Sequence, residues 1–171
     1  MQFHSNRTKK IAYYGLLIAV AFVLSYLESL IPAFVAVPGV KLGLTNLVVL
    51  LALEYFGYKE AFVINMIRIL LVGLTFGNGF SLIYSFAGGI LSFVMMVLLK
   101  KTGKFSLSGI SVSGGVSHNI AQILVAAVIL QSHALFFYLP VLLISGTVAG
   151  LAIGLISAEL LKRLPKTQNF V

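Results

Sequence analysis

The sequence predicts an all-α fold: a polytopic membrane protein built as a bundle of about six transmembrane helices, with both termini in the cytoplasm. Three observations carry that prediction. Hydrophobic residues fill 60% of the 171 positions and charged residues only 9%, where a soluble domain has about 25% charged. A water-soluble fold could not hide so much apolar surface. The apolar residues fall into long runs, and at roughly 20 residues per crossing the chain holds about six of them with short connections. Residues 1–171 therefore form a single integral membrane domain, with no soluble domain left over. Finally, the basic residues stand in small clusters between the runs. The formal charge of +8 then reads as a set of topology signals and not as a nucleic-acid surface.

Helix 1 is expected from Ile11 to Ile31, preceded by Arg7, Lys9 and Lys10. Its apolar run is longer than that of a secretory signal, and the Pro-Ala-Phe-Val-Ala-Val-Pro that follows lacks a clear cleavage site. Pro32, Pro38 and Gly39 break the helix into a loop. Leu42 to Phe56 and Ala61 to about Phe76 form two shorter segments around the turn Gly57-Tyr58-Lys59-Glu60. Helix 4 is expected from about Phe80 to Leu99, ending at Lys100, Lys101 and Lys104, and helix 5 from about Ile110 to Leu130. Helix 6 begins near Leu135 and runs to about Leu161, before Lys162, Arg163, Pro165 and Lys166. With the N-terminus inside, ten of the twelve Lys and Arg residues lie on the cytoplasmic side, only Lys41 falls in an outer loop, and Arg68 lies within a span. The positive-inside rule selects that orientation.

Ionisable groups inside a span are costly, so each is a functional hypothesis. In this orientation Glu28 lies near the outer end of helix 1, Lys41 at the outer mouth of helix 2 and Asn46 a turn or more deeper. Asn65 and Arg68 share one face of helix 3 at i, i+3 spacing. Helix 4 enters through Asn78, Ser81, Tyr84 and Ser85, and helix 5 carries His118, Asn119 and Gln122. Polar groups from four or five helices thus converge on the outer half. Lys41, Arg68 and His118 against one carboxylate favour an anion, because Arg offers a planar fork for carboxylate or phosphate and Lys a mobile point charge. The plainer alternative stays open: Arg68 pairs with Glu28 as structural glue, Lys41 snorkels to the headgroups, and His118 and Asn119 make interhelical hydrogen bonds.

Small residues form a second pattern. Gly146, Gly150 and Gly154 in helix 6, Ser81, Ser85, Gly88 and Ser92 in helix 4, and Ala12, Gly15 and Ala19 in helix 1 each follow one helix face. Such stripes let backbones approach closely. In helices 4 and 6 they predict packing within the bundle, whereas that of helix 1 could instead face a partner protein.

Several chemistries are excluded. Without cysteine there are no disulfides, thiolate metal sites or cysteine nucleophiles. The sequence contains no aspartate, and its carboxylate side chains are Glu28, Glu54, Glu60 and Glu159. No Gly-x-x-x-x-Gly-Lys-Ser/Thr loop and no Gly-x-Ser-x-Gly elbow occur. His4, His118 and His133 sit at different depths, against a preformed histidine metal site. No enzyme activity, metal or cofactor is expected of this chain alone.

The stretch Pro38-Gly-Val-Lys-Leu-Gly-Leu-Thr-Asn46, then Arg68, Phe76-Gly and Tyr84-Ser-Phe-Ala-Gly-Gly, and finally Ser117-His-Asn-Ile-Ala-Gln122 resemble the bacterial membrane family called heptaprenyl diphosphate synthase component I, or Gx transporter family. That family in turn resembles the substrate-binding S components of energy-coupling factor transporters. The resemblance implies a bacterial cytoplasmic membrane protein of six helices that holds its substrate in the outer half and works with a transmembrane coupling subunit and two ATPases. On this reading Lys41, Asn46, Arg68, Tyr84, Ser85, His118, Asn119 and Gln122 contact a small anionic or isoprenoid-related substrate. The Ala12, Gly15 and Ala19 face is similar to the face S components use for docking. The synthase label points elsewhere. Prenyltransferases hold the Mg²⁺ of a diphosphate through clustered aspartates, which this sequence lacks, so the alternative is a non-catalytic membrane subunit associated with the synthase. A proton-coupled carrier using Glu28 and His118 ranks lowest, because a lone carboxylate near one surface is a poor relay.

Overall fold

Helix-forming apolar runs produce an all-α chain, and the described connections after residue 55 are short turns containing glycine or serine. The computed structural model describes residues 2–30, 43–77 and 79–164, which form α1 (Gln2–Leu30), α2 (Leu44–Tyr55), α3 (Tyr58–Thr75), α4 (Gly79–Thr102), α5 (Leu107–Leu130) and α6 (Leu139–Arg163), with a 3₁₀ helix over His133–Tyr138. The stretches Thr8–Glu28, Gly79–Thr102, Leu107–Leu130 and His133–Arg163 are long and apolar enough to cross a bilayer. The chain is thus an all-α, multi-pass membrane protein. Helix α2 has only 12 residues, and α3 carries Lys59, Glu60 and Arg68 within its 18.

Several boundaries differ from the hydropathy boundaries; α3 starts at Tyr58 and not at Ala61, so Tyr58, Lys59 and Glu60 of the expected turn are helical, and α4 continues past Leu99 to Thr102. Helix α1 starts at Gln2 and not at Ile11, because polar residues such as Lys9 and Lys10 are good helix formers and extend the helix past its apolar part. Ser106 caps α5, its Oγ accepting from Gly109 N at 3.2 Å, so that helix starts one turn before Ile110. Helix α6 starts at Leu139 instead of near Leu135, with Pro140 in its first turn, where a missing N–H removes no helical hydrogen bond. Ahead of it, 133–138 wind as 3₁₀.

Helix α2 is the centre of the bundle. It packs against α1, α3, α5 and α6, and its Val48, Val49, Leu50, Ala52 and Leu53 are fully buried. The most extensive contacts join α5 to α6 and α4 to α5. There the small-residue stripes matter, since a Cβ on Gly150 would lie 2.6 Å from Val112 Cα, and one on Gly115 2.6 Å from the Gly146 carbonyl oxygen. Backbone touches backbone. By contrast α1 contacts only α2 and α3 closely, and of its described side chains only Ala21 and Ser25 are buried. The α2–α3 turn rests on Gly57, whose φ of 102° is available to glycine at little cost.

Candidate functional site

Arg68 lies on the face of α3 that looks into the bundle and is buried, with Asn65 one turn before it. The guanidinium satisfies its two terminal nitrogens within the protein. Nη1 donates to Thr45 Oγ1 in the first turn of α2, and Nη2 donates to Asn65 Oδ1 at 2.7 Å. Asn65 Nδ2 in turn donates to the Gly89 carbonyl of α4 at 3.1 Å. Above this set, Glu28 of α1 accepts from the backbone N–H of Gly43 at 2.6 Å, at the amino end of α2, where the helix dipole favours a carboxylate. Glu28 also acts electrostatically on Arg68. One polar network therefore ties α1, α2, α3 and α4 together. Arg68 Nε is buried without a hydrogen-bond partner.

The Gly88–Gly89 pair of α4 explains how the neighbouring helices fit. A Cβ on Gly88 would stand 2.7 Å from His118 Cε1 of α5, and one on Gly89 would press on Ile69 of α3. Asn65 and Ile69 of α3 and His118 of α5 thus approach α4 at adjacent residues of one glycine pair. Tyr84 and Ser85, a turn away, are half-buried, and the Tyr84 ring lies 5.4 Å from that of Phe80. Asn46 is half-buried at the Gly43 end of α2. Asn119 points elsewhere: its Nδ2 donates to the Leu142 carbonyl of α6 at 2.7 Å, which fastens α5 to α6. Gln122 is buried on α5. Ala12, Gly15 and Ala19 are exposed, and the space where a Gly15 Cβ would sit is open. Lys41 and Asn78, with Pro32, Pro38, Gly39, Pro165 and Lys166, lie outside the described residues.

Two features escape a reading of the sequence. Thr45 looks like an ordinary first-turn residue, and only the fold makes it the partner of Arg68. The second is an ion pair at the opposite end of α2. Lys100 Nζ lies 3.0 Å from Glu54 Oε2 and donates to the Leu53 carbonyl at 2.7 Å. That carbonyl needs the bond, because the Gly57 N–H turns to Ala52 O instead. A signal was present, since Glu54 sits within an apolar segment, and a carboxylate there requires a cation.

Chemically, the Arg68 set is a charged strut with neutral acceptors on both arms. An anionic ligand would reach the guanidinium by displacing Thr45 or Asn65, or through Nε. Among the described residues no group of His, Cys, Asp or Glu side chains could hold a metal ion. A family model described as heptaprenyl diphosphate synthase component I matches residues 17–160. No curated protein and no solved structure matches the chain.

Proposed function

Because the chain belongs to the heptaprenyl diphosphate synthase component I family, we propose that it is a non-catalytic membrane subunit associated with a heptaprenyl diphosphate synthase whose catalytic chain is a separate protein. The observation that carries this reading is the pairing of that family with a sequence that has no aspartate. Mg²⁺-diphosphate chemistry needs clustered hard oxygen ligands, and a partner would supply them. On the same reading the six helices form one bundle in a bacterial cytoplasmic membrane, N-in and C-in, as the distribution of lysine and arginine supports. The natural absence of cysteine makes sidedness directly measurable. A cysteine placed at Lys104 should resist, and one at Ser132 accept, a membrane-impermeant maleimide added to intact cells.

A second reading, the substrate-binding subunit of a transporter, is favoured by the buried Arg68 and its free Nε. It requires a coupling subunit and ATPases from other chains. Affinity purification from native membranes, followed by mass spectrometry, separates the two. Recovery of a prenyl diphosphate synthase chain supports the accessory role, and recovery of an ATPase pair without it replaces that role with transport.

A further inference from the structure

Helix α1 contacts only α2 and α3 closely, and it does so through a narrow strip. Ala21, Ser25 and Glu28 follow steps of four and three residues, which keeps them on one side of the helix, and of the described α1 side chains only Ala21 and Ser25 are buried. Beside the strip, the Phe22 and Tyr26 rings rest 5.0 and 5.2 Å from that of Phe76 at the end of α3. Apolar contacts of that kind hold a helix weakly in lipid, because acyl chains can take their place. The last residue of the strip makes a different kind of contact. Glu28 Oε1 accepts from the Gly43 N–H at 2.6 Å, a polar tie between the carboxyl end of α1 and the amino end of α2.

Glu28 stands where an anion is favoured twice over. Gly43 caps α2 without a side chain of its own to do so, so the partial positive charge of the helix end is met by a carboxylate from another helix. Arg68 is seated on the first turn of the same helix through Thr45, and Glu28 acts on it electrostatically. Arg68 is 8% exposed, and its Nε is buried without a hydrogen-bond partner. A helix amino end beside a guanidinium with a donor to spare suits a carboxylate, and a carboxylate is the group found there.

We propose that the amino end of α2 is a carboxylate-binding site which the protein fills with its own Glu28, and that an external carboxylate displaces Glu28 and frees the carboxyl end of α1. Ligand and α1 compete for the same N–H. Every group involved belongs to this chain, so the site stands or falls apart from the identity of its partner chains. The test uses the full chain purified in detergent. Glu28→Ala removes the equivalent of one acetate from the site, which makes acetate the probe. At saturation it should raise the thermal midpoint of that variant by roughly 3 °C, with acetamide and sodium chloride at equal concentration giving no rise. In the chain that keeps Glu28, displacement is read on α1 itself. The sequence has no cysteine, and Ser25→Cys places a single thiol on the buried strip. Acetate should speed its reaction with a maleimide about fivefold, and Glu28→Ala in the same background should do so without acetate. Arg68→Lys keeps the charge and loses the Nε donor, so it should raise the acetate concentration required roughly fivefold. If Ser25→Cys does not elute as a single species, Ala21→Cys on the same strip replaces it. Equal responses to acetate and acetamide would overturn the site, as would an unchanged acetate requirement in Arg68→Lys. Rescue of Glu28→Ala by acetate with no change in labelling of the Glu28 chain would overturn the displacement and make Glu28 a fixed cap.

Discussion

Where α5 meets α6 the main chains touch, through Gly115 against Gly146 and Gly150 against Val112; where α1 to α4 meet, side chains reach across, from Glu28 to Gly43, from Arg68 to Thr45, and from Asn65 to Gly89. The difference follows from the lengths of the helices. Helices α4, α5 and α6 are long and apolar, so most of their backbone groups are satisfied internally, and close packing dominates between them in lipid, with the Asn119 side chain adding a bond from α5 to the Leu142 carbonyl of α6. Helix α2 is short, and its ends leave backbone groups inside the protein that other elements must satisfy. Polar bridges therefore collect at its two ends, Glu28 at one and Lys100 at the other.

Substitutions can break or sharpen this contrast. The largest effect is expected from Gly150→Val, which forces side-chain atoms into the backbone of α5. It should cost about 3 kcal/mol, measured as a lowered thermal midpoint of the purified protein in detergent. An unchanged midpoint would mean that α5 and α6 can separate freely. Next comes Arg68→Ala, which leaves Thr45 and Asn65 without their cation, for a loss on the order of 2 kcal/mol. Arg68→Lys should recover only part of it, because an ammonium cannot span both acceptors as the guanidinium does. If Lys restores full stability, charge and not geometry holds this half. Lys100→Met should cost about 1 kcal/mol, since its ion pair is partly exposed and the Leu53 carbonyl loses its donor. A loss as large as that at Arg68 would make the two ends of α2 equivalent. The smallest effect is expected at Gly15→Leu on the open face of α1, within about 0.5 kcal/mol. A strong destabilisation there would show that α1 is packed more tightly than its exposed face indicates.

Much of the architecture is legible in the sequence because hydropathy runs and glycine spacings are local quantities. The Gly146, Gly150 and Gly154 stripe predicts close packing, and the structure supplies α5 as its partner. The shortness of segments 2 and 3 is equally visible. Partner identity is less so, because the rotation of each helix in the bundle is set by its neighbours. His118 and Asn119 are adjacent and both polar, yet a step of about 100° sends one against Gly88 of α4 and the other to Leu142 of α6. Grouping them with Arg68 by depth alone joins residues that serve different interfaces. Thr45 is missed for the same reason, its role arising from α3 and not from its own helix. Which side of α1 faces outward is likewise a tertiary property, and the structure leaves Ala12, Gly15 and Ala19 on the open side.

The brevity of α2 also has an electrical consequence. Twelve residues make a rod of about 18 Å, against a hydrocarbon layer of about 30 Å, and it is sheathed by α1, α3, α5 and α6, so it need not match the bilayer at all. The polar groups at its ends, Glu28 with Gly43 and Glu54 with Lys100, stand that short distance apart. If water enters to both, a membrane potential falls across little more than half the usual thickness, and the field acting on Arg68 is correspondingly steeper.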